Sequence, residues 1–309
     1  MIAELRPRPP FEPAALIGFL GRRAVPGIEE RADDGAYRRS LRLAGGPATV
    51  ELRPGDGVVQ ARFELARTAD RPEAEAAARA LLDLDADPGA IAAALGDDEL
   101  LGPLVRANPG LRLPGHPDPA ELAARAVIGQ QVSVSAARTI AGRLVAAHGE
   151  VLDRPAGTVT HLFPTAEALA TADPATLGMP ASRARAVAGL AAALARLGDD
   201  ALPMPRSRAR ALAGLAGALA AGELVLDRAD PAAARAGMLA LPGIGPWTAT
   251  YVEMRALGNR DAFLATDLGV RRALEGLGLD GSPRAAEELA ERWRPYRAYA
   301  LQHLWTTLD

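Results

Sequence analysis

The apolar patterning of the chain changes character once, and that change limits the folds open to it. Early in the sequence YRRSLRL, ATVELR and VVQARFEL alternate apolar and polar residues and are broken by AGGP and PGDG. Short alternating runs between glycine turns predict an antiparallel meander. A helical run over 11–25 precedes them, with Leu16, Ile17, Phe19 and Leu20 on its apolar side, and 73–84 returns to helix. From Asp118 onward no strand pattern persists. Asp118-Pro119 is an N-cap with proline at the first helical position, and the run AELAARAVIGQ follows. Ser133 or Ser135 can cap the next helix, and Pro164-Thr165, Asp173-Pro174 and Met179-Pro180 open others. The fold class expected is therefore α+β: an N-terminal antiparallel β-sheet domain with helices, then two all-helical domains.

The boundaries read as 1–88 for the α+β domain and 89–117 for a connector joining the C-terminal helical domain. A middle helical domain follows at 118–258 and a C-terminal one at 259–309. The segment 180–195, PASRARAVAGLAAALA, recurs at 205–220 as PRSRARALAGLAGALA. One duplicated helix is too little for a solenoid. It reads as an Arg/Ala-rich solvated helix copied once, or as a second helix facing phosphate.

Composition removes several chemistries. The chain has no cysteine, which excludes disulfides, thiolate metal sites and cysteine nucleophiles. All its Lys+Arg are arginine; no lysine occurs, so no lysine Schiff base can form. His116, His148, His161 and His303 are scattered without ligand spacing, so no metal enzyme is expected. No apolar run reaches the roughly 18–20 residues of a membrane span, and MIAELRPRPP lacks the apolar stretch of a signal peptide. A cytoplasmic protein is expected. The net charge of −3 means that contact with nucleic acid must come from local arginines and backbone amides, not from a basic field.

Residues 241–272, LPGIGPWTATYVEMRALGNRDAFLATDLGVRR, concentrate the chemistry. Gly243 and Gly245 have no Cβ and permit a tight turn at positive φ. Pro246 then starts the next helix, and Asp230-Pro231 starts the one before. The product is a helix–hairpin–helix, about 230–257, with approachable amides at a helix N-terminus, the kind of site that grips a phosphate without reading sequence. Asp267, after the apolar FLAT, reads either as a plain N-cap or as a catalytic carboxylate beside apolar surface. Only 4 % of the chain is aromatic, yet Trp247, Tyr251, Phe263, Trp293, Tyr296, Tyr299 and Trp305 crowd its last part. Trp247 and Tyr251, four apart, share one helix face. Core packing accounts for such residues, and so does a stacking surface for a flipped base.

These segments, with PGLRLPG at 109–115, ARAVIGQQVSV at 124–134, LGMP at 177–180, RWRPYRAYALQHLW at 292–305 and GFLGRRAV at 18–25, resemble the AlkA-type DNA-3-methyladenine glycosylases II of the helix–hairpin–helix Gly/Pro–Asp superfamily. The similarity runs through almost the whole chain in order. It implies a monofunctional glycosylase that flips and excises alkylated bases of the 3-methyladenine and 7-methylguanine class from duplex DNA in base excision repair. By that resemblance Asp267 is catalytic, Trp247, Tyr251, Trp305 and Phe19 line the base pocket, and Gly243 and Gly245 hold DNA backbone. Gln131 takes the position of the wedge into the base stack, where an apolar residue is usual. Leu268 stands where an aromatic is usual. The resemblance also implies no required cofactor, a monovalent cation at backbone carbonyls near Leu241 and Gly243, and a monomer acting at the nucleoid. Tryptophan at 247, where strand-cutting relatives carry lysine, implies no lysine-dependent lyase step. The other readings are a non-catalytic DNA-binding or damage-sensing protein, and a glycosylase for oxidised or deaminated bases.

Overall fold

The protein's structure is a computed structural model, which describes residues 1–171 and 206–308. Its N-terminal sheet contains β1 (Ile2–Leu5), β2 (Glu29–Arg31), β3 (Tyr37–Leu43), β4 (Gly46–Pro54) and β5 (Val59–Leu65). The strands are antiparallel in the order β1-β5-β4-β3-β2. The three long strands are those whose alternation is visible in the sequence. β1 and β2 are too short to show a period.

Register puts Tyr37 opposite Leu52, and Leu52 opposite Ala61. The next inward rank joins Arg39, Val50 and Phe63, and all three are buried. An arginine therefore occupies an inward position of an apolar face, and its partner lies in another part of the molecule. Helices Pro13–Arg22 and Arg71–Leu81 supply Leu16, Ile17, Leu20, Ala74, Ala78 and Leu81 to the same core.

A second core forms around helices Pro119–Ile128, Arg206–Ala220, Pro231–Leu239 and Pro246–Arg255. Asp118, Ser133 and Asp230 cap their helices through the side chain, as the Asx/Ser-initiated starts predict. The second copy of the repeat is the helix Arg206–Ala220. It is amphipathic: Leu212 and Leu215 are fully buried, Ala211 and Ala216 join the core beside them, and Arg210 is exposed. The arginines of the motif drew attention to its surface, while the leucines three apart decide its packing. The first copy, and the starts at Asp173-Pro174 and Met179-Pro180, lie outside the described residues.

One expectation about the helical part fails. A small antiparallel hairpin, Val151–Ala156 with Val159–His161, interrupts it, turning at Gly157 with φ +64°. Pro155 and the single short repeat of alternation hide it in the sequence. It is pinned to the N-terminal domain, because the amides of Thr160 and His161 donate to Gly27 O and Thr158 bonds Glu30.

The third core holds Phe263, Trp293, Tyr299, Leu301 and Leu304. Residues 89–117, read as a connector, bring it two helices, Pro88–Leu95 and Leu101–Ala107, whose Leu95, Leu101 and Val105 are buried there. Each is short and one is mostly alanine, so neither shows a clear apolar face in the sequence. Met254, at the end of the hairpin helix, belongs to this third core, while Val252 two residues earlier belongs to the second. The hairpin helix is thus the seam between the two helical cores.

Among the described residues, no helix is long and apolar enough to cross a membrane.

Candidate active site

Along that seam opens a cavity of about 500 Å³, lined among others by Phe19, Trp247, Tyr251, Asp267 and Trp305. Residues from four elements of the chain meet here. Phe19 comes from the N-terminal helix, Trp247 and Tyr251 from the hairpin helix, Asp267 from the start of Leu268–Gly276, and Trp305 from the last helix, Arg297–Thr306.

Asp267 is fixed from several sides. Its Oδ1 accepts from the Val270 amide at 3.1 Å, which is the N-cap bond. The same oxygen accepts from Trp305 Nε1 at 2.9 Å, and Oδ2 accepts from Trp247 Nε1 at 2.9 Å. Asp267 is therefore an N-cap that also lines the cavity. Indole N–H donates only, and a bond to a charged acceptor is stronger than a neutral one. Two such bonds fix the plane of the carboxylate and also the two rings.

Trp247 and Tyr251 lie 5.0 Å apart, centroid to centroid, with their planes 8° from parallel. They form one parallel stack rather than two separate walls. Tyr251 Oη accepts from Arg255 NH1 at 2.6 Å, and the Arg255 guanidinium also donates to Pro114 O and Gly115 O. Arg255 is buried, and its charge lies 5.0 Å from the Phe19 centroid, while Arg23 lies 3.7 Å from it. Phe19 thus carries two guanidinium contacts. Sequence reading missed Arg255. The signal was available, since it follows Tyr251 by four and so shares its face.

The floor of the cavity reaches Glu29, His116 and Arg125. Arg125 NH1 bonds Glu29 Oε2 at 2.9 Å and Glu121 Oε1 at 2.8 Å. Arg39, the inward arginine of β3, bonds Glu121 Oε2 at 2.8 Å and Glu29 Oε1 at 3.3 Å. The cluster joins sheet and helix in one alternating array of two carboxylates and two guanidiniums. Burial alone would raise the Glu121 carboxyl, but Arg39, His116 and Arg125 reverse this and hold it well below the usual range. Burial pushes the His116 imidazole below its ordinary value. Glu29, His116 and Glu121 place ligand atoms within 4.8 Å of one another. The two guanidiniums already supply the positive charge a metal ion would bring, so the trio is an ion-pair centre.

The hairpin lies apart from the cavity lining. Gly243 has φ +86°, as the tight turn requires. Gly245 does not share it: it is extended, with φ −92° and ψ 173°, and caps the helix Pro246–Arg255. A Cβ at Gly245 would meet nothing within 4 Å, so its value is open access to the helix end rather than conformational freedom. Gln131 is exposed, in the left-handed region with φ +56°. Its neighbour Gln130 donates to Gly243 O at 3.2 Å and to Thr248 Oγ1 at 3.0 Å, a link not foreseen from sequence. Leu268 is 56 % exposed and does not line the cavity.

Residues 124–296 match the HhH-GPD superfamily of base excision DNA repair proteins, and residues 2–118 match the AlkA N-terminal domain. The chain belongs to the HhH-GPD superfamily. Among its relatives is the "DNA-3-methyladenine glycosylase 2" of Escherichia coli, 34 % identical over 97 % of this chain and 95 % of that one. A "probable bifunctional transcriptional activator/DNA repair enzyme AlkA" of Mycobacterium tuberculosis is 46 % identical over 98 % of this chain. The chain spans 56 % of the length of that relative. A 3-methyladenine DNA-glycosylase from Archaeoglobus fulgidus shares the fold, with a TM-score of 0.75 over 99 % of this chain and 97 % of that one at 23 % identity.

Gly269 tests how tightly this centre is packed. A Cβ there would lie 2.8 Å from Asp267 Oδ1 and 2.9 Å from Trp305 Nε1. Gly269→Ala is expected to break the Trp305–carboxylate bond while sparing the one from Trp247. In nitrogen–proton spectra the Trp305 indole N–H should move upfield and exchange faster, with the Trp247 resonance little changed. An unmoved Trp305 resonance would mean the site has slack that the geometry does not show.

Proposed function

We propose that this protein is a monofunctional DNA glycosylase that releases N-alkylated purines, of the 3-methyladenine and 7-methylguanine class, from duplex DNA. The observation that carries the reading is Asp267, held by two indole N–H groups at a cavity walled by a stacked Trp247–Tyr251 pair. The name of the Escherichia coli relative supports it.

A base inside a duplex must leave the stack to reach such a cavity. Alkylation at a ring nitrogen makes the base cationic and a better leaving group. The aromatic face attracts it by about 0.5–2 kcal/mol per good contact. Arg255 and Arg23 oppose that attraction, so Asp267 has a second part to play as the nearby negative charge. When the bond between C1′ and the base nitrogen breaks, its electron pair leaves with the base, which becomes neutral. Positive charge grows on the sugar, where the fixed carboxylate stabilises it. Water then adds to C1′, its approach oriented by the same carboxylate, and loses a proton. The products are a free base and an abasic site. With no lysine, no lysine Schiff base forms and the strand stays intact.

In this reading Gly243 and Gly245 seat a DNA phosphate and Gln131 fills the gap left by the flipped base. Backbone carbonyls suit a monovalent cation at the hairpin. Leu241 O accepts from Ile244 N and Gly243 O from Gln130 Nε2, and each keeps a second lone pair. Such an ion would add positive charge for a phosphate. A monomer working at the nucleoid completes the proposal.

The test is incubation with methylated duplex DNA. Release of 3-methyladenine and 7-methylguanine without nicking is the expected result. A folded protein that binds duplex and liberates neither base would leave the sensor reading in its place.

A further inference from the structure

The charged groups of the cavity lining are sorted by sign. Its arginines converge on one short segment, 19–24. Arg22 and Arg23 belong to it, Arg138 Nε donates to Ala24 O at 2.7 Å, Arg125 NH2 donates to Arg23 O at 2.9 Å, and the Arg255 guanidinium lies 5.0 Å from the Phe19 centroid. The hydrogen bonds of Arg255 go to a phenol and two backbone carbonyls, all neutral, so they leave its charge in place. Of the two carboxylates in the lining, Glu29 is shared between Arg39 and Arg125. The side chain of Asp267 receives only indole and amide N–H groups, so its charge also stands. The hairpin helix separates the two. Trp247, which holds Asp267, is in its first turn, and Arg255 ends it, about 12 Å further along the axis. Tyr251 lies between them, stacked on Trp247 and bonded to Arg255.

We propose that the cavity is an electrically polarised slot, in which Arg255 drives the positive charge of an N-alkylated base toward the sugar as the glycosidic bond breaks. The inference rests on the glycosylase reading. With the sugar at Asp267, the base lies toward Tyr251 and Arg255. Before cleavage the positive charge is on the base, at the arginine end. As the bond between C1′ and the base nitrogen breaks, its electron pair goes to the base, which becomes neutral. The positive charge passes to the sugar, at the carboxylate end. Both ends of the slot favour that transfer, because Arg255 disfavours the charged base and Asp267 favours the charged sugar. The pair therefore stabilises the transition state more than the bound lesion, which is the condition for raising a rate. The aromatic face recruits the cation, and the guanidinium keeps it from resting there. Arg255 acts through its field and needs no contact with the base. Its burial helps, since buried charges are screened less than exposed ones.

Two variants test this. Arg255→Gln removes the charge and keeps an amide donor, and Arg255→Lys keeps the charge and loses the planar fork. Two uncleavable duplexes place a positive charge at either end of the slot. One carries 7-methylguanine on a 2′-fluoro sugar, at a pH where the base is fully cationic. The other carries a protonated pyrrolidine in place of the sugar. In R255Q, single-turnover release of 7-methylguanine is expected to fall about 10-fold. The duplex with the charged base is expected to bind R255Q about 3–10-fold more tightly than wild type, and the pyrrolidine duplex to change little. R255K is expected to recover most of the lost release. Tighter binding with slower chemistry is a split that a bracing role does not produce, because loss of a brace weakens both. R255Q that binds the charged base no more tightly than wild type overturns the proposal, as does an equal change for both duplexes. So does a folded R255K that loses about 10-fold or more in release, a result that decides the matter even where R255Q does not fold. A wild type that releases no methylated base defeats the glycosylase reading itself. The two binding comparisons need no turnover, so the polarity of the slot is judged separately.

Discussion

Asp267→Asn is expected to lower release of methylated bases by about 10²–10³-fold, the range for removing a fixed electrostatic group from a reaction centre. Two losses combine. The charge that would stabilise the sugar disappears, and the geometry can no longer be satisfied. Trp247 Nε1 and Trp305 Nε1 bond different oxygens of the carboxylate. An amide has one oxygen, so one indole is left facing an NH₂ group, donor against donor. The oxygen is expected to stay at the Oδ1 position, where it serves both Trp305 and the Val270 amide. Trp247, and with it the stacked face shared with Tyr251, is then released. The comparison is single-turnover release from methylated duplex, with binding of an abasic-analogue duplex as control. Release within about threefold of wild type would show that binding and desolvation alone carry the reaction.

The largest expected effect on folding is at Glu121. Replacing it with Gln keeps the shape but leaves Arg39 and Arg125 each short of a carboxylate partner inside the protein. Breaking one side of a buried ion pair costs about 3–5 kcal/mol, a large fraction of the roughly 5–15 kcal/mol that holds a domain folded. Urea denaturation should show the midpoint dropping with little change in slope. A shift below about 1 kcal/mol would mean that the other members of the cluster compensate.

Acid should act in the same direction. Glu121 is held well below its open-chain value of 4.5, so its contribution is present above that value and is lost as pH falls through the folded pKa. Burial lowers His303 to about 4 from 6.5, so between these values the unfolded chain takes up a proton that the folded protein refuses. Stability should therefore decline from about pH 6.5 downward, steepening as Glu121 begins to protonate. A urea midpoint that is flat down to about pH 4.5 would contradict the His303 assignment, and one that stays flat on further acidification would contradict that of Glu121.

Much of this was visible in the sequence, and what was hidden follows from one kind of cause. Signals carried by neighbouring residues were legible: the alternation of three strands, the Asp-Pro and Ser caps, the Gly243 turn, and the Trp247–Tyr251 spacing. Residues whose meaning depends on a distant partner were not. Arg39 breaks an apolar rank in β3 and finds Glu121 across a domain boundary. Arg255 is a single polar residue on a helix face, and only the assembled cavity gives it a setting. The short helices Pro88–Leu95 and Leu101–Ala107 acquire an inside only from the C-terminal core they complete. Gly245 suggests conformational freedom in the sequence, but its backbone is extended and a Cβ there would meet only open space.

Gln130 has a consequence of its own. It grips the hairpin through Gly243 O and Thr248 Oγ1, and the next residue in the chain is the exposed, left-handed Gln131. The two surfaces that the sequence assigns to DNA are therefore mounted on consecutive residues. Their separation is fixed by a covalent bond and two hydrogen bonds, not by the packing of one domain on another. In the proposed reading, a duplex seated on the hairpin would meet Gln131 at an offset that these bonds set.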